Sequence, residues 1–301
     1  MKLHILDLNF FVPKVIGSYL IETDDGPVIV DTGPESTFEN LKHSLSEFGY
    51  SVEDVRTVLV THIHLDHSGA AWRFAEKGSK IHVHPNGAKH LIDPTKLVNS
   101  AERIFKDKMK ELWGEIRAID ESQVITLEDR DVLKLGGLKF EALETFGHAS
   151  HHHSYIVEDV VFSGDVTGIC IEGGPIILPT PPPDINIEQW LESIEKLRKI
   201  SPSKLYPGHF GEIQKAEEHL DLLEYTVFEM TEFVGTRLKK GIEENEIISE
   251  YLEMANKVMD ENNVSEDRVK AYDFADFFWM NSLGLIRYWK KFRSSELAET
   301  Q

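Results

Sequence analysis

Short apolar runs bounded by turn residues make up much of the first two-thirds of the chain. Apolar residues dominate positions 15–23 and 27–31 on either side of Asp24-Asp25-Gly26, a combination that predicts a β-hairpin. Residues 56–60 and 80–84 are further runs of strand length, and the span 124–161 returns to β-type patterns. This part of the chain is therefore expected to form sheets.

Apolar residues at helical spacing interrupt these strands and later replace them. Within the strand-rich part, helices are predicted over residues 34–48, 94–113 and 186–199, with another beginning near Gly69. The strand signals then disappear, and helices are predicted over residues 215–240, 243–262 and 265–293. The change predicts a mixed domain over 1–214 and a helical C-terminal extension over 215–301.

The strand at 56–60 leads into THIHLDHSG, in which three histidines and an aspartate lie within six positions. In an extended segment alternate side chains share a face, so His62 and His64 point one way while the apolar residues after each point into a core. Asp66 and His67 follow where the chain must turn into a helix. This grouping is typical of a metal site and could serve two ions that lie close together.

Two ions need further ligands, and single candidates follow other predicted strands. His148 follows the run LKFEALET, Asp165 ends VVFSGD, and His209 ends LYPGH. Each has a glycine immediately before it, which lets the backbone bend sharply toward a shared site. We therefore expect all three side chains to meet the histidine cluster.

Taken in order, THIHLDH, FGH, SGD and PGH resemble the metal-binding motifs of the metallo-β-lactamase superfamily, and VDTG at 30–33 resembles its early strand-end turn. The resemblance covers roughly residues 1–215. It implies an α+β fold, the αββα sandwich, in which two sheets pack face to face between helices and the ligands line one edge. An aspartate rather than a cysteine at 165 is similar to the glyoxalase II and lactonase branches.

The resemblance also implies a ligand set and a reaction. One ion would bind His62, His64 and His148, the other would bind Asp66, His67 and His209, and Asp165 would bridge them. The ions would be two Zn²⁺, with iron or manganese as alternatives. The implied enzyme is a dinuclear zinc hydrolase, in which a metal-bridging hydroxide attacks a small ester, lactone or thioester while Asp66 orients the nucleophile and helps to move protons.

Two residues are expected to support the ligands. Asp31 is expected to hydrogen-bond a ligand histidine, with capping of a turn as an equal alternative. His152 falls at a second histidine position of the family and is expected to hold ligands in place or to pack. His151, which stands where the family usually has glycine, and His153 are both expected to be exposed.

Other motifs have a structural and a functional interpretation. His82 and His84 repeat the His-x-His spacing without the following Asp-His, so we expect them to be packed in a strand. The loops at 10–13 and 178–184 are expected to wall an apolar pocket above the metals or to be ordinary buried turns. The aromatic residues at 274–280 are expected mainly to pack in a core, with a pocket lid or a homodimer seam as alternatives.

Composition restricts the partners. The chain has 301 residues, a formal net charge of −20 and a single cysteine, Cys170. The negative charge disfavours nucleic-acid binding, and one cysteine cannot form an internal disulfide. No secretory signal or run of membrane-spanning length is evident. The sequence therefore predicts a cytoplasmic enzyme with a small-molecule substrate and no membrane partner, with a homodimer through the C-terminal helices as an open alternative.

Three other functions remain open at this stage. A mononuclear iron persulfide dioxygenase also keeps the H-x-H-x-D-H motif. A phosphodiesterase or nuclease is disfavoured by the net charge, and a non-catalytic binding module is disfavoured by the complete set of ligand-type residues.

Overall fold

The computed structural model describes residues 1–298 and shows two sheets packed face to face. The first sheet consists of β1 (Lys2–Asp7), β2 (Gly17–Thr23), β3 (Gly26–Val30), β4 (Thr57–Leu59), β5 (Lys80–Val83) and β6 (Val124–Thr126). These strands lie side by side in chain order, antiparallel from β1 to β3 and parallel from β3 to β6.

The second sheet follows in the chain. It consists of β7 (Val132–Leu135), β8 (Leu138–Glu144), β9 (His153–Val157), β10 (Val160–Gly164) and β11 (Lys204–Pro207). Its order is β11-β10-β9-β8-β7, and only β10 and β11 are parallel.

Strand residues alternate between two cores because successive side chains of a strand point to opposite faces. In β2, Tyr19 and Ile21 pack between the sheets, whereas Leu20 faces the outer helices. In β10, Phe162 faces the other sheet and Val161 faces the helices on its own side. Since both faces are buried, the strands appear in the sequence as nearly continuous apolar runs.

Helices cover the outer face of each sheet, which gives the predicted αββα sandwich. The helices of the strand-rich part are α1 (Phe38–Glu47), α2 (Leu65–Ser68), α3 (Ala71–Ala75), α4 (Pro85–Ile92), α5 (Thr95–Phe105), α6 (Met109–Trp113) and α7 (Ile187–Ile200). α7 has Asn186 as its N-cap, accepting from the Gln189 N–H at 3.0 Å, and buries Trp190, Ile194 and Leu197 against the second sheet.

Several local predictions are corrected by the structure. The helix expected near Gly69 is present as α3, but the separate short helix α2, which begins after the extended His64, was not predicted. The region 94–113 forms two helices rather than one, and α4 and β1 were not predicted. The strands predicted at 15–23, 27–31, 56–60 and 80–84 are present as β2 to β5.

The C-terminal region is helical, as predicted. It consists of α8 (Ala216–Lys239), α9 (Glu244–Glu261), α10 (Glu266–Ala275), α11 (Phe278–Phe292) and α12 (Ser294–Ala298). The single helix predicted over 265–293 is wrong, because Asp276 has an extended backbone (φ −154°, ψ 135°) that separates α10 from α11. Residues 299–301 of the predicted extension lie outside the described residues.

These helices share cores with the sandwich rather than standing apart from it. Leu285 and Trp289 belong to the same apolar cluster as Leu205 of β11, and Tyr272 belongs to the cluster outside the first sheet. A division of the chain at residue 214 stays a prediction. Among helices of the described chain, none has both the length and the apolar character needed to cross a membrane.

Candidate metal centre

The histidine-rich segment lies between the end of β4 and the short helix α2. His64 is the N-cap of α2, so the chain turns immediately after the His-x-His pair, and Asp66 and His67 lie within the helix. Ser68 Oγ donates to the Ile63 carbonyl at 3.1 Å, which closes this turn. The turn brings all four polar side chains to one edge of the sandwich.

Three imidazoles form the first group of converging atoms. His62 Nε2 lies 3.0 Å from His64 Nδ1, and His148 Nε2 lies 2.9 Å from the same atom. Asp165 Oδ2 faces this group, 3.9 Å from His62 Nε2 and 3.5 Å from His148 Nε2. His148, predicted from a separate strand end, thus meets the cluster.

The second group lies on the other side of the same carboxylate. Asp66 Oδ2 is 3.6 Å from His67 Nε2 and 3.7 Å from His209 Nε2. Asp165 Oδ1 lies 3.2 Å from His67 Nε2 and 3.6 Å from His209 Nε2. The two oxygens of Asp165 therefore face two separate groups of three side chains.

The donor atoms of these groups are poorly satisfied by the protein itself. Within residues 1–298, His67 Nε2 and Asp165 Oδ1 are buried and have no hydrogen-bond partner. Leaving buried polar atoms unpaired is costly, on the order of 1–3 kcal/mol each. Neutral imidazole and carboxylate donors at this spacing suit a cation such as zinc. The residues present therefore fit a metal centre.

Asp31 holds the second group in orientation, as expected from the sequence. Its carboxylate accepts from the Thr61 N–H at 2.8 Å and from Thr61 Oγ1 at 2.7 Å. It also lies 3.0 Å from His67 Nδ1. A carboxylate can only accept from this nitrogen, so Nδ1 carries a proton, and in the neutral imidazole the lone pair lies on Nε2, which faces Asp165.

His148 and His152 are held in comparable ways. The Pro179 carbonyl accepts from His148 Nδ1 at 2.7 Å, which directs the Nε2 lone pair toward the first group. His152 Nε2 accepts from the Asp165 backbone N–H at 3.1 Å, and its Nδ1 lies 2.9 Å from Thr145 Oγ1. His152 thus supports the strand end that carries Asp165.

Gly208 permits the chain just after β11 to lie close to His67 and Asp165. A Cβ atom at this position would lie 2.2 Å from His67 Cε1 and 2.9 Å from Asp165 Oδ1. Both distances are far inside van der Waals contact. The glycine in PGH is therefore required by the crowding of the centre.

The electrostatic environment differs between the two groups. Burial lowers the pKa of His62 and His148, and it lowers the pKa of His64 to about 4, so these imidazoles are neutral near pH 7. Burial acts in the same direction on His67, but the charges of Asp165 and Asp66 outweigh it and raise the pKa. A field that attracts a proton at this point also attracts a metal cation.

The expectation that His151 and His153 are exposed is wrong. His151 is 8% exposed, its Nδ1 lies 3.5 Å from the Ile63 N–H, and it borders the cavity above the centre. His153 is fully buried at the start of β9, where it pairs with Glu144. His153 is buried because β9 is the middle strand of a sheet that is covered on both faces.

A third histidine group lies nearby. His84, Glu144 and His153 have possible ligand atoms within 4.8 Å of one another. His84 Nδ1 accepts from the Asn86 N–H at 3.0 Å, so its Nε2 carries the proton and donates to Glu144 at 3.2 Å. His84 is therefore satisfied by hydrogen bonds, and it is packed, as is His82.

A cavity of about 470 Å³ opens above the centre. Asp66, Asp165 and His209 lie at its floor. Phe10 of the 10–13 loop and the prolines of the 178–184 loop wall it, in agreement with one of the two expectations for these loops. The C-terminal helices contribute Phe274, Phe277 and Met280 to the same lining.

Asp276, which also lines the cavity, was not predicted from the sequence. Asn281 Oδ1 accepts from the Thr180 N–H at 2.8 Å, which leaves the amide NH₂ of Asn281 to donate to the Asp276 carboxylate. Burial raises the pKa of Asp276 to about 7. The only sequence signal is an acidic residue within the apolar run FADFFWM.

Comparison with known proteins decides the family. A model of the metallo-beta-lactamase superfamily matches residues 13–209. The chain belongs to the metallo-beta-lactamase superfamily. Members of this superfamily are metal-dependent hydrolases, and the chain is an enzyme of that class.

Two curated relatives and one solved structure illustrate the similarity. A metallo-beta-lactamase fold-containing protein of Sulfurisphaera tokodaii is 28% identical over 214 residues, 69% of this chain and 78% of that protein. A probable polyketide biosynthesis zinc-dependent hydrolase of Bacillus subtilis is 23% identical over 220 residues, 70% of this chain and 80% of its own.

The solved structure is a metallo-beta-lactamase family protein from Thermus thermophilus. It superposes with a TM-score of 0.72 at 20% identity, over 96% of this chain and 93% of its own. A match of that extent must include most of the C-terminal helices. The shared fold therefore continues beyond the αββα sandwich.

Proposed function

We propose that the chain is a dinuclear zinc hydrolase that cleaves a small carboxylic ester, lactone or thioester. His62, His64 and His148 would hold one ion, Asp66, His67 and His209 the other, and Asp165 both. The observation that carries this proposal is the position of Asp165, whose two oxygens face the two groups from distances of 3.2–3.9 Å.

Zinc is favoured over other metals by the chemistry of the donors. The groups contain five imidazoles and two carboxylates, the nitrogen and oxygen ligands that zinc accepts readily. A relative from Bacillus subtilis is described as a zinc-dependent hydrolase. When bound, the metal pair would supply Lewis acidity and a water that loses its proton near neutral pH.

The protein itself would supply orientation and proton transfer. Asp66 is the more accessible of the two carboxylates, with a side chain that is 19% exposed against 3% for Asp165. It also borders the cavity in which a substrate would sit. Asp66 is therefore assigned to orient the attacking water and to accept its proton, while Asp165 keeps the two groups together.

Metal analysis combined with an ester screen tests the proposal. Purified protein is expected to hold two zinc ions per chain and to hydrolyse at least one ester, lactone or thioester. His62→Ala and Asp165→Ala should lose both metal and activity, whereas His43→Ala, which changes an exposed helix residue, should keep both. Full activity of a metal-depleted His62→Ala variant would contradict the mechanism. One bound iron together with oxidation of a persulfide would show a persulfide dioxygenase instead.

A homodimer through the C-terminal helices and a cytoplasmic location stay predictions. Leu222, Tyr225 and Phe228 of α8 have exposed fractions of 51–61%. Light scattering of the purified chain tests the dimer, and a molar mass near 34.4 kDa would contradict it.

A further inference from the structure

We infer that the cavity selects amphipathic substrates, in which an apolar portion is joined to an anionic group at the far end of the molecule. This inference rests on the proposed function and names the substrate class for the same site. Three features of the cavity support it: an aromatic wall, a pair of lysines, and one helix that connects them.

The aromatic wall is built from three distant segments of the chain. The Phe10 ring lies 5.9 Å from the Trp113 ring, and Trp113 lies 5.0 Å from Phe105. Phe105 in turn lies 5.5 Å from Phe277 of the C-terminal region. All four residues border the cavity, so an apolar group can replace water along a continuous aromatic surface.

Two lysines border the same cavity. Lys89 of α4 and Lys96 of α5 are exposed, and within residues 1–298 neither lies within 4.0 Å of a carboxylate oxygen. Both ammonium groups act on His90, whose pKa is lowered by burial and further by these charges. They form a local positive region in a chain whose net charge is −20.

Acidic groups near these lysines leave the positive region in place. Asp184 and Asp93 are the carboxylates that oppose the lysine charges at His90. Both carboxylates keep their charge, but at His90 each lysine acts more strongly than either of them, so the potential there stays positive. An incoming anion can therefore approach two lysines that make no competing ion pair.

Helix α5 connects the lysines to the aromatic wall. Its residues in the cavity lining fall at positions 96, 97, 100, 101, 104 and 105, the spacing of a single helix face. This face begins with Lys96 and ends with Phe105. At 1.5 Å per residue, the two positions lie about 13 Å apart along the helix axis. Helix α5 therefore places Lys96 and the aromatic wall on one continuous face of the cavity.

A binding measurement tests this inference without relying on turnover. Zinc-loaded protein is titrated by calorimetry with decanoate, with sebacate, and with ω-phosphonodecanoate. One carboxylate of each ligand is available to bind at the metal centre, so the ligands differ only in the group at the other end of the chain. Sebacate and the phosphonate should bind about tenfold more tightly than decanoate, as expected of two partly exposed ion pairs. The difference in affinity between sebacate and ω-phosphonodecanoate shows whether the lysines prefer a carboxylate or a phosphonate.

Variants separate the two parts of the cavity. Lys89→Ala/Lys96→Ala should abolish the preference for the distal anion, because sebacate and the phosphonate should lose more affinity than decanoate. The matched double variant Lys139→Ala/Lys257→Ala removes two exposed lysines outside the cavity lining and should keep the preference. Phe105→Ala should weaken all three ligands while acetate is unaffected.

The failure of this inference differs from that of the proposed function. Equal binding of sebacate and decanoate, or a preference that survives the Lys89/Lys96 variant, overturns the inference even if esters are hydrolysed. Absence of hydrolysis across the ester screen overturns the proposed function even if the distal anion is recognised.

Discussion

The Asp31 carboxylate lies 3.0 Å from His67 Nδ1, and it accepts two further hydrogen bonds from Thr61. This contact fixes which nitrogen of His67 faces Asp165. It joins the end of β3 to the helix that carries two of the seven proposed ligands. The precision of the centre thus depends on residues that are not themselves among the proposed ligands.

Replacing Asp31 by asparagine is expected to weaken metal binding. The amide keeps an acceptor oxygen but loses the charge that orients the His67 proton. Loss of such an outer contact typically costs about 10–100-fold in metal affinity. Competition with a chromophoric chelator measures the effect. Asp93→Asn, which changes an exposed acceptor of hydrogen bonds from Thr95, is the control, and an equal affinity for both variants would contradict the assigned role.

Adding one methyl group at Gly208 is expected to disrupt the centre. The new Cβ would lie 2.2 Å from His67 Cε1, so either His67 or the Gly208 backbone must move. We expect Gly208→Ala to lose most of its bound metal and its activity. Gly241→Ala, at a position where a Cβ meets nothing within 4 Å, should keep its metal content despite a small loss of stability. Quantification of the metal bound to each variant tests this expected difference.

The stability of metal-free protein is expected to depend on pH through Asp276. Burial raises the pKa of Asp276 from an ordinary value of 3.8 to about 7, so ionisation costs free energy in the folded state. The unfolded chain therefore releases this proton first. The cost is absent below about pH 4, grows as the pH rises, and is fully present above about pH 7.

Asp276→Asn removes this cost and keeps an acceptor for Asn281. In chelator-treated protein the variant should be more stable than the native chain at pH 8, by on the order of 4 kcal/mol. The difference should vanish as the pH approaches 4. Urea unfolding at a series of pH values measures it, and a difference that does not change with pH would show that Asp276 is not the titrating group.

The ligand-type residues could be predicted because their pattern is local. His62 to His67 follow shortly after a strand, and each of the other three candidates follows a strand of its own with a glycine just before it. Strand ends on one edge of a sandwich converge in space. The sequence could therefore predict the meeting of these side chains, whereas the fold was implied by the resemblance of their motifs to the metallo-β-lactamase superfamily.

Other features depend on contacts that no local pattern records. His153 is buried because β9 lies between two other strands of a covered sheet, and His151, which precedes β9, is buried beside His62, Ile63 and His64. Asp276 interrupts an apolar, helix-like run because Asn281 and the 178–184 loop hold it at the cavity. These positions are set by tertiary packing, which overrides local propensity.

The most direct test of the central claim is a crystal structure of zinc-loaded protein with anomalous data collected at the zinc edge. Two peaks are expected about 3.5–4 Å apart. One should lie among His62, His64 and His148, and the other among Asp66, His67 and His209, with Asp165 between them. A single peak, or a peak among His84, Glu144 and His153 instead, would contradict the account.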